Sequence, residues 1–176
     1  FSQLGDNFTA EVTFNAGKLD VKSRNSFITG VGIYDFQGIL TKTEGTIKGL
    51  SFNGQGKLIY LTGDQKAAEY EGNFENNYMS GEGTYYYAVG GKKTGEKFVG
   101  TFKDDGPVKG VSTGFGDTYE GEFNNVTWQL EGYGIYTYAN GARYEGHYLA
   151  GKQNGYGRVF YSNGDYAEGM FKNDKM

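Results

Sequence analysis

A short pattern recurs along this chain at close to regular intervals: an aromatic residue, any residue, Gly, any residue, and a second aromatic. Its clearest copy is Tyr144-Glu145-Gly146-His147-Tyr148, followed by the loop Leu149–Asn154 and by Gly155-Tyr156-Gly157-Arg158-Val159-Phe160-Tyr161. The copy closes on Ser162-Asn163-Gly164-Asp165, and from Gly146 to Gly169 in the next copy is 23 residues. Earlier copies begin at Tyr119-Glu120-Gly121, Phe98-Val99-Gly100, Tyr70-Glu71-Gly72 and Thr43-Glu44-Gly45. Their second halves are Gly132-Tyr133-Gly134, a damaged Gly110-Val111-Ser112, Gly81-Glu82-Gly83 and Gly54-Gln55-Gly56. The earliest copy sets Ala10-Glu11-Val12-Thr13-Phe14 before Gly30-Val31-Gly32. Successive Glu positions, with Val99 standing in once, are spaced 33, 27, 28, 21, 25 and 23 residues apart. Such repetition implies units that cannot bury their own apolar face and must stack on their neighbours.

Each half of a unit alternates with period two, as a strand does. In Tyr144–Tyr148 the two rings and Gly146 share one side, with Glu145 and His147 on the other. Each unit therefore reads as a β-hairpin, and Asn140-Gly141 and Asn163-Gly164 read as turns between units. Gly weakens a strand, so its repetition needs a reason. The reason offered by the pattern is a flat recess in which the ring of a neighbouring strand lies. The glycines expected to play this part are Gly45, Gly72, Gly100, Gly121, Gly146 and Gly169. The expected fold is all-β: an elongated, twisted, single-layer antiparallel sheet of stacked hairpins, open at both ends.

The pattern closely resembles the MORN repeat family, whose units read roughly Tyr-x-Gly-x-Phe, a short loop, then Gly-x-Gly. The resemblance runs from about Phe8 to Lys175 and implies one array over 1–176, folded as a curved sheet of hairpins with a groove that the aromatic rows would line. Its approximate units are 8–42, 43–69, 70–97, 98–118, 119–143 and 144–166, with a partial unit at 167–176. The departures are a long first unit, Pro107 with Ser112 in the fourth, and an insertion around Trp128. Because the chain opens on Phe1 and stops inside a seventh unit, it reads as a processed or partial chain with more to follow.

Composition excludes several classes. Gly supplies 31 of 176 residues, but there is a single Pro against 16 Tyr and 13 Phe, which is neither collagen-like nor a disordered linker. With no Cys, there is no disulfide framework, thiolate metal site or Cys nucleophile. A net charge of −4 argues against nucleic acid as partner. No apolar run is long enough to span a membrane, and no signal peptide is visible.

Enzymatic chemistry is poorly represented. The one imidazole, His147, sits where other units carry Asn73, Thr101, Glu122 and Met170, which reads as a surface position and not a general base. A row of Glu residues is the most regular polar feature. Hairpin stacking would space its members by about 10 Å in equivalent surroundings, which suits cross-strand pairing better than acid–base catalysis or calcium. Gly-x-Gly here lacks the strand–loop–helix context of a phosphate loop. No cofactor or metal is expected, and the chain is read as not an enzyme.

The function expected is a protein–protein interaction scaffold that holds a partner helix or extended segment in an aromatic groove. The groove would be lined by Tyr34, Phe36, Tyr60, Tyr85, Tyr87, Tyr136, Tyr138 and Tyr161. Trp128 is read either as an interaction anchor or as a cap on the apolar edge of its own hairpin. The resemblance further implies an intracellular structural subunit of a larger assembly, ciliary, axonemal or cytoskeletal. Two alternatives stay open. One is a peripheral membrane adaptor that binds phospholipid headgroups through Lys92, Lys93 and Lys97, in keeping with the membrane-occupation sense of the family name. The other is a regulatory segment of an enzyme whose catalytic domain lies elsewhere.

Overall fold

The computed structural model describes the backbone of residues 12–15, 18–21, 27–36, 39–48, 51–60, 67–87 and 95–176, and side chains at 53–60, 67–87 and 95–176. All the regular structure there is strand. The first two, β1 (Val12–Asn15) and β2 (Lys18–Val21), pair with each other in a separate two-stranded sheet. The other twelve form one antiparallel sheet in which every neighbour in space is the neighbour in sequence. They are β3 (Phe27–Phe36), β4 (Ile39–Lys48), β5 (Ser51–Tyr60), β6 (Glu69–Glu75), β7 (Tyr78–Tyr86) and β8 (Lys97–Lys103). Then follow β9 (Gly106–Gly114), β10 (Asp117–Phe123), β11 (Leu130–Thr137), β12 (Arg143–Leu149), β13 (Lys152–Phe160) and β14 (Tyr166–Phe171). The sheet is not closed: β3 and β14 are its edges. The expected all-β array of consecutive hairpins is therefore the fold. The expected first hairpin is corrected, since β1 pairs with β2 and not with the strand carrying Gly30.

The glycines set the register. Gly72 pairs with Gly83, Gly100 with Gly110, Gly121 with Gly134, and Gly146 with Gly157. Each of these pairs meets a Gly of the next unit in turn, so that Gly83 faces Gly100 and Gly157 faces Gly169. Gly45 holds the same place in β4, between Gly30 and Gly56. Just beyond each pair within a hairpin the register shifts at a β-bulge. The first Gly of Gly-x-Gly occupies that bulge with positive φ, as at Gly81 (83°) and Gly155 (97°). A residue with a Cβ would be strained there. The motif thus combines two unlike requirements: a left-handed backbone at its first Gly, and a close approach at its second.

The fourth unit's apparent damage has a different form from the one expected. Gly110 faces Gly100 and so is the second glycine of its motif, with Val108 at the place of the first. The register shift in this hairpin is smaller, and no left-handed residue is used at 108. Ser112, two residues past the paired Gly, occupies the position of Tyr85 and Tyr136.

Tight turns join the strands. Asn76-Asn77, Asp104-Asp105, Ala150-Gly151 and Asn173-Asp174 each place two consecutive residues at positive φ, the backbone of a type I′ hairpin. The β10–β11 hairpin departs from this, as its longer sequence requires. Asn124 and Gln129 close a wider loop through Asn124 N–H to Gln129 O (2.9 Å), and Asn124 Oδ1 accepts from Val126 and Thr127 (3.0 Å each). The Asn-Gly turns between units match their expectation. Gly141 and Gly164 have φ of 85° and 94°, and the preceding Asn side chains accept from Ala142 and Asp165.

Candidate functional site

Cross-strand partners share a face, so the pairing fixes which residues lie together. On one face lies a continuous row of rings. The opening aromatic of each unit, Tyr70, Phe98, Tyr119 and Tyr144, is at most 2% exposed. Its ring does not come only from a neighbouring strand, as the sequence suggested. It folds back over the Gly two residues along its own strand and also covers that glycine's partner. A Cβ built at Gly146 would meet Tyr144 Oη at 2.5 Å, and one at Gly157 would meet the same ring at 2.5–2.6 Å. The hydroxyl then finds a fixed acceptor three residues on: Tyr70 donates to Asn73 O (2.8 Å), Tyr119 to Glu122 O (2.9 Å) and Tyr144 to His147 O (3.1 Å).

The closing aromatic of each unit meets that ring edge-on, and so does the closing aromatic of the next unit. The chain of contacts runs Phe74, Tyr70, Phe102, Phe98, Phe123, Tyr119, Tyr148, Tyr144, Phe171, with centroids 4.9–5.3 Å apart and planes at 75–90°. Such pairs each contribute about 0.5–1.5 kcal/mol beyond the area they bury. A single-layer sheet thereby builds its core on one face out of rings lying against one another. The row stops at β14, where Ala167 stands in place of the opening aromatic and Met176 Sδ lies over Gly169 instead.

The aromatics expected to line a groove flank this row on the same face. Tyr85 is a correction: at 3% exposure it belongs to the core, between Tyr60 and Trp128, because its ring is opposite the buried Tyr70. Tyr60 and Tyr87 are half-buried against the same cluster. Tyr87 Oη lies 2.8 Å from Ser112 Oγ, filling the space that the missing ring of the fourth unit leaves. Tyr136 is half-buried beside Tyr119, while Tyr138 and Tyr161 are 37% and 47% exposed. Tyr136 and Tyr138 have ring centroids 4.7 Å apart. Trp128 packs on Tyr85 (4.8 Å) and Phe102 (6.2 Å), covering the apolar cluster of preceding units rather than that of its own hairpin. Tyr34 and Phe36 lie on β3 with side chains outside the described residues, as Lys92 and Lys93 do entirely. Lys97 falls on the opposite face, in register with Tyr86 and Thr113.

Polar groups that the sequence did not single out stand at the C-terminal part of the ring face. Asp117 accepts from Tyr136 Oη (2.7 Å) and from Ala139 N–H (2.8 Å). Burial and this carboxylate push the Tyr136 phenol up to about 12. Tyr138 is raised as well, by burial first and then by the charges of Asp117 and Asp174. Tyr148, which replaces the Phe of other units, is 6% exposed, and its hydroxyl makes no hydrogen bond of normal geometry. The nearby Gln153 amide donates to Tyr138 Oη at 3.3 Å. The only sequence signal for this cluster was Tyr in place of Phe at 148.

The opposite face is charged and wetter. Lys57 bridges Glu69 (3.1 Å) and Glu71 (3.4 Å), Arg143 meets Glu145 (2.8 Å), and Arg158 meets Glu168 (2.8 Å). Of the Glu row, Glu71, Glu145 and Glu168 thus serve in cross-strand or neighbouring ion pairs. Tyr133, Tyr156 and Met170 are exposed on this face too. His147 is exposed among them, its ring 5.6 Å from Tyr133 and its Nδ1 3.4 Å from the Tyr156 carbonyl. No group of three His, Asp or Glu side chains suited to a metal occurs among the described residues.

Compared with known families, the chain matches the MORN repeat model at residues 70–92, 129–143 and 144–166. These segments cover most of the third unit and the whole of the last full one, both with complete ring-over-glycine geometry. No curated protein matches the chain significantly.

Proposed function

The chain is a MORN-repeat protein, and on that premise we propose that it is a non-enzymatic interaction scaffold presenting the ring face of its open sheet to a partner protein. MORN repeats suit a repeat-based interaction or membrane-binding module. One observation favours protein: the side chains flanking the buried ring row are exposed or half-exposed tyrosines with a carboxylate among them, a surface poor in anion-binding groups. Tyrosine supplies large contact area at little entropic cost and dominates protein interfaces. The partner segment is a helix or an extended strand lying along the tyrosines. The same proposal includes a role as structural subunit of a larger intracellular assembly, axonemal or cytoskeletal, which is carried by the family resemblance.

Crosslinking of the chain in its native source, followed by mass spectrometry, tests the reading. The expected result is one or a few proteins crosslinked along successive units. Absence of any enriched protein, together with sedimentation on anionic vesicles, would replace the scaffold by the membrane adaptor.

A further inference from the structure

The two faces of the sheet differ in charge. On strands with described side chains, each Lys and Arg (Lys57, Lys97, Lys103, Lys109, Arg143, Lys152 and Arg158) alternates onto the face away from the ring row. The ring face keeps Asp117, held in place by its bonds to Tyr136 and Ala139. Asp174 approaches it from the turn after β14, where its carboxylate accepts from Gln153 N–H at 2.8 Å. Both charges bear on the ring of Tyr138, which is 37% exposed. No Lys or Arg of those strands stands on the ring face beside Asp117, and the lysines nearest Asp174 in sequence are Lys172 and Lys175 of its own turn. The neighbouring Tyr148 hydroxyl is buried without a hydrogen bond of normal geometry, and the Gln153 amide that donates to Tyr138 lies beside it as well.

This arrangement has the parts of a guanidinium site. An exposed ring offers a face for cation–π contact, and a fixed carboxylate beside it offers an acceptor. Arginine fits better than lysine, because its planar fork can stack on one group while donating to the other. We propose that the face built from Tyr136, Tyr138, Asp117 and Asp174 takes an arginine-bearing peptide segment of a partner protein. The proposal rests on the scaffold reading and adds to it the chemistry of the partner.

A random-peptide phage library selected on the whole chain tests it. Recovered sequences are expected to be enriched in Arg, and a synthetic peptide of the strongest one should lose affinity as salt rises. Asp117→Asn and Tyr138→Ala should each weaken that peptide about tenfold or more. Glu145→Gln, on the other face, should leave it unchanged. Asp117 also ties a turn, so thermal melting accompanies its variant, while the exposed Tyr138 provides the variant that keeps the fold. Peptides without Arg enrichment, or binding indifferent to Tyr138→Ala, would overturn the arginine assignment and leave the scaffold standing. Recovery of no peptide would also overturn it, with the scaffold then judged by the crosslinking above. Binding to phosphatidylserine vesicles that is lost in Tyr138→Ala would give the face to lipid and overturn it too.

Discussion

Glycines in this array answer to two different constraints, and a substitution separates them. At Gly146 and Gly157 the space above the backbone belongs to the ring of Tyr144, and a Cβ at Gly146 would also lie 2.6 Å from Gly157 Cα. Gly146→Val or Gly157→Val should therefore lower stability by about 3 kcal/mol or more, an overpacking cost with no side of the sheet free to yield. At Gly141 a Cβ meets nothing within 4 Å, yet φ is 85°. Gly141→Ala should cost only about 1 kcal/mol, the strain of a left-handed alanine. Chemical denaturation of the variants checks the contrast, and equal costs would contradict the ring-over-glycine packing. Tyr148 makes the opposite prediction. Its hydroxyl is buried with no hydrogen bond of normal geometry, and Phe occupies the equivalent place in Phe74, Phe102, Phe123 and Phe171. Tyr148→Phe should be neutral or stabilising by up to about 1 kcal/mol, read as an unchanged or raised melting temperature.

At the scale of the element, each hairpin is specified by a bulge glycine, a paired glycine and a turn, and the sequence shows these to different degrees. The hairpins from Gly45 onward and the Asn-Gly turns were legible, because Gly spacing and turn dipeptides act locally, whereas the first unit was not, since β1 pairs with β2. The fourth unit was misread because Gly110-Val111-Ser112 has the look of a spoiled Gly-x-Gly, whereas pairing with Gly100 makes Gly110 the second glycine. No local signal distinguishes these two registers. Tyr85 was assigned to a binding surface because period two places it on the ring face, and it does lie there. Alternation tells the face but not the depth, which depends on what a later loop brings over it. That loop carries Trp128, whose side chain closes over Tyr85 and Phe102 from beyond the next hairpin. Trp128→Ala should accordingly cost about 2–4 kcal/mol, below or near the usual range for a large buried aromatic because the indole is half-exposed. A loss of partner binding with stability intact would instead return Trp128 to the role of an anchor.

For the whole molecule, stability belongs to the row of rings and not to any one unit, as in other linear repeats. The phenols within it set an alkaline limit. Burial raises Tyr70, Tyr85, Tyr119 and Tyr148 above the ordinary tyrosine value of 10.0, and burial with Asp117 raises Tyr136 to about 12. The folded state thus prefers the neutral phenols more strongly than the unfolded chain does. Their contribution is complete below pH 10 and is lost as pH climbs through 10 towards 12 and beyond, so melting temperatures should fall steeply across that window. The row also has a weak joint. Buried rings gather in two clusters, one from Leu58 to Phe102 and the other from Tyr119 to Phe171, and Phe123 packs against both. It meets Phe98 at 5.1 Å on one side and Tyr119 at 5.0 Å on the other. Removing that ring should leave each cluster intact but uncoupled. The single Trp supplies the probe, since Trp128 sits on Tyr85 and Phe102 and so reports the N-terminal cluster. In the native chain its fluorescence should melt together with the circular dichroism of the whole sheet. In Phe123→Ala the two transitions should separate, because nearest-neighbour coupling across the joint no longer makes one cluster's unfolding cost the other's. Coincident transitions in that variant would mean that backbone pairing of β9 with β10 suffices to transmit cooperativity, and that the rings stabilise the array without linking its halves.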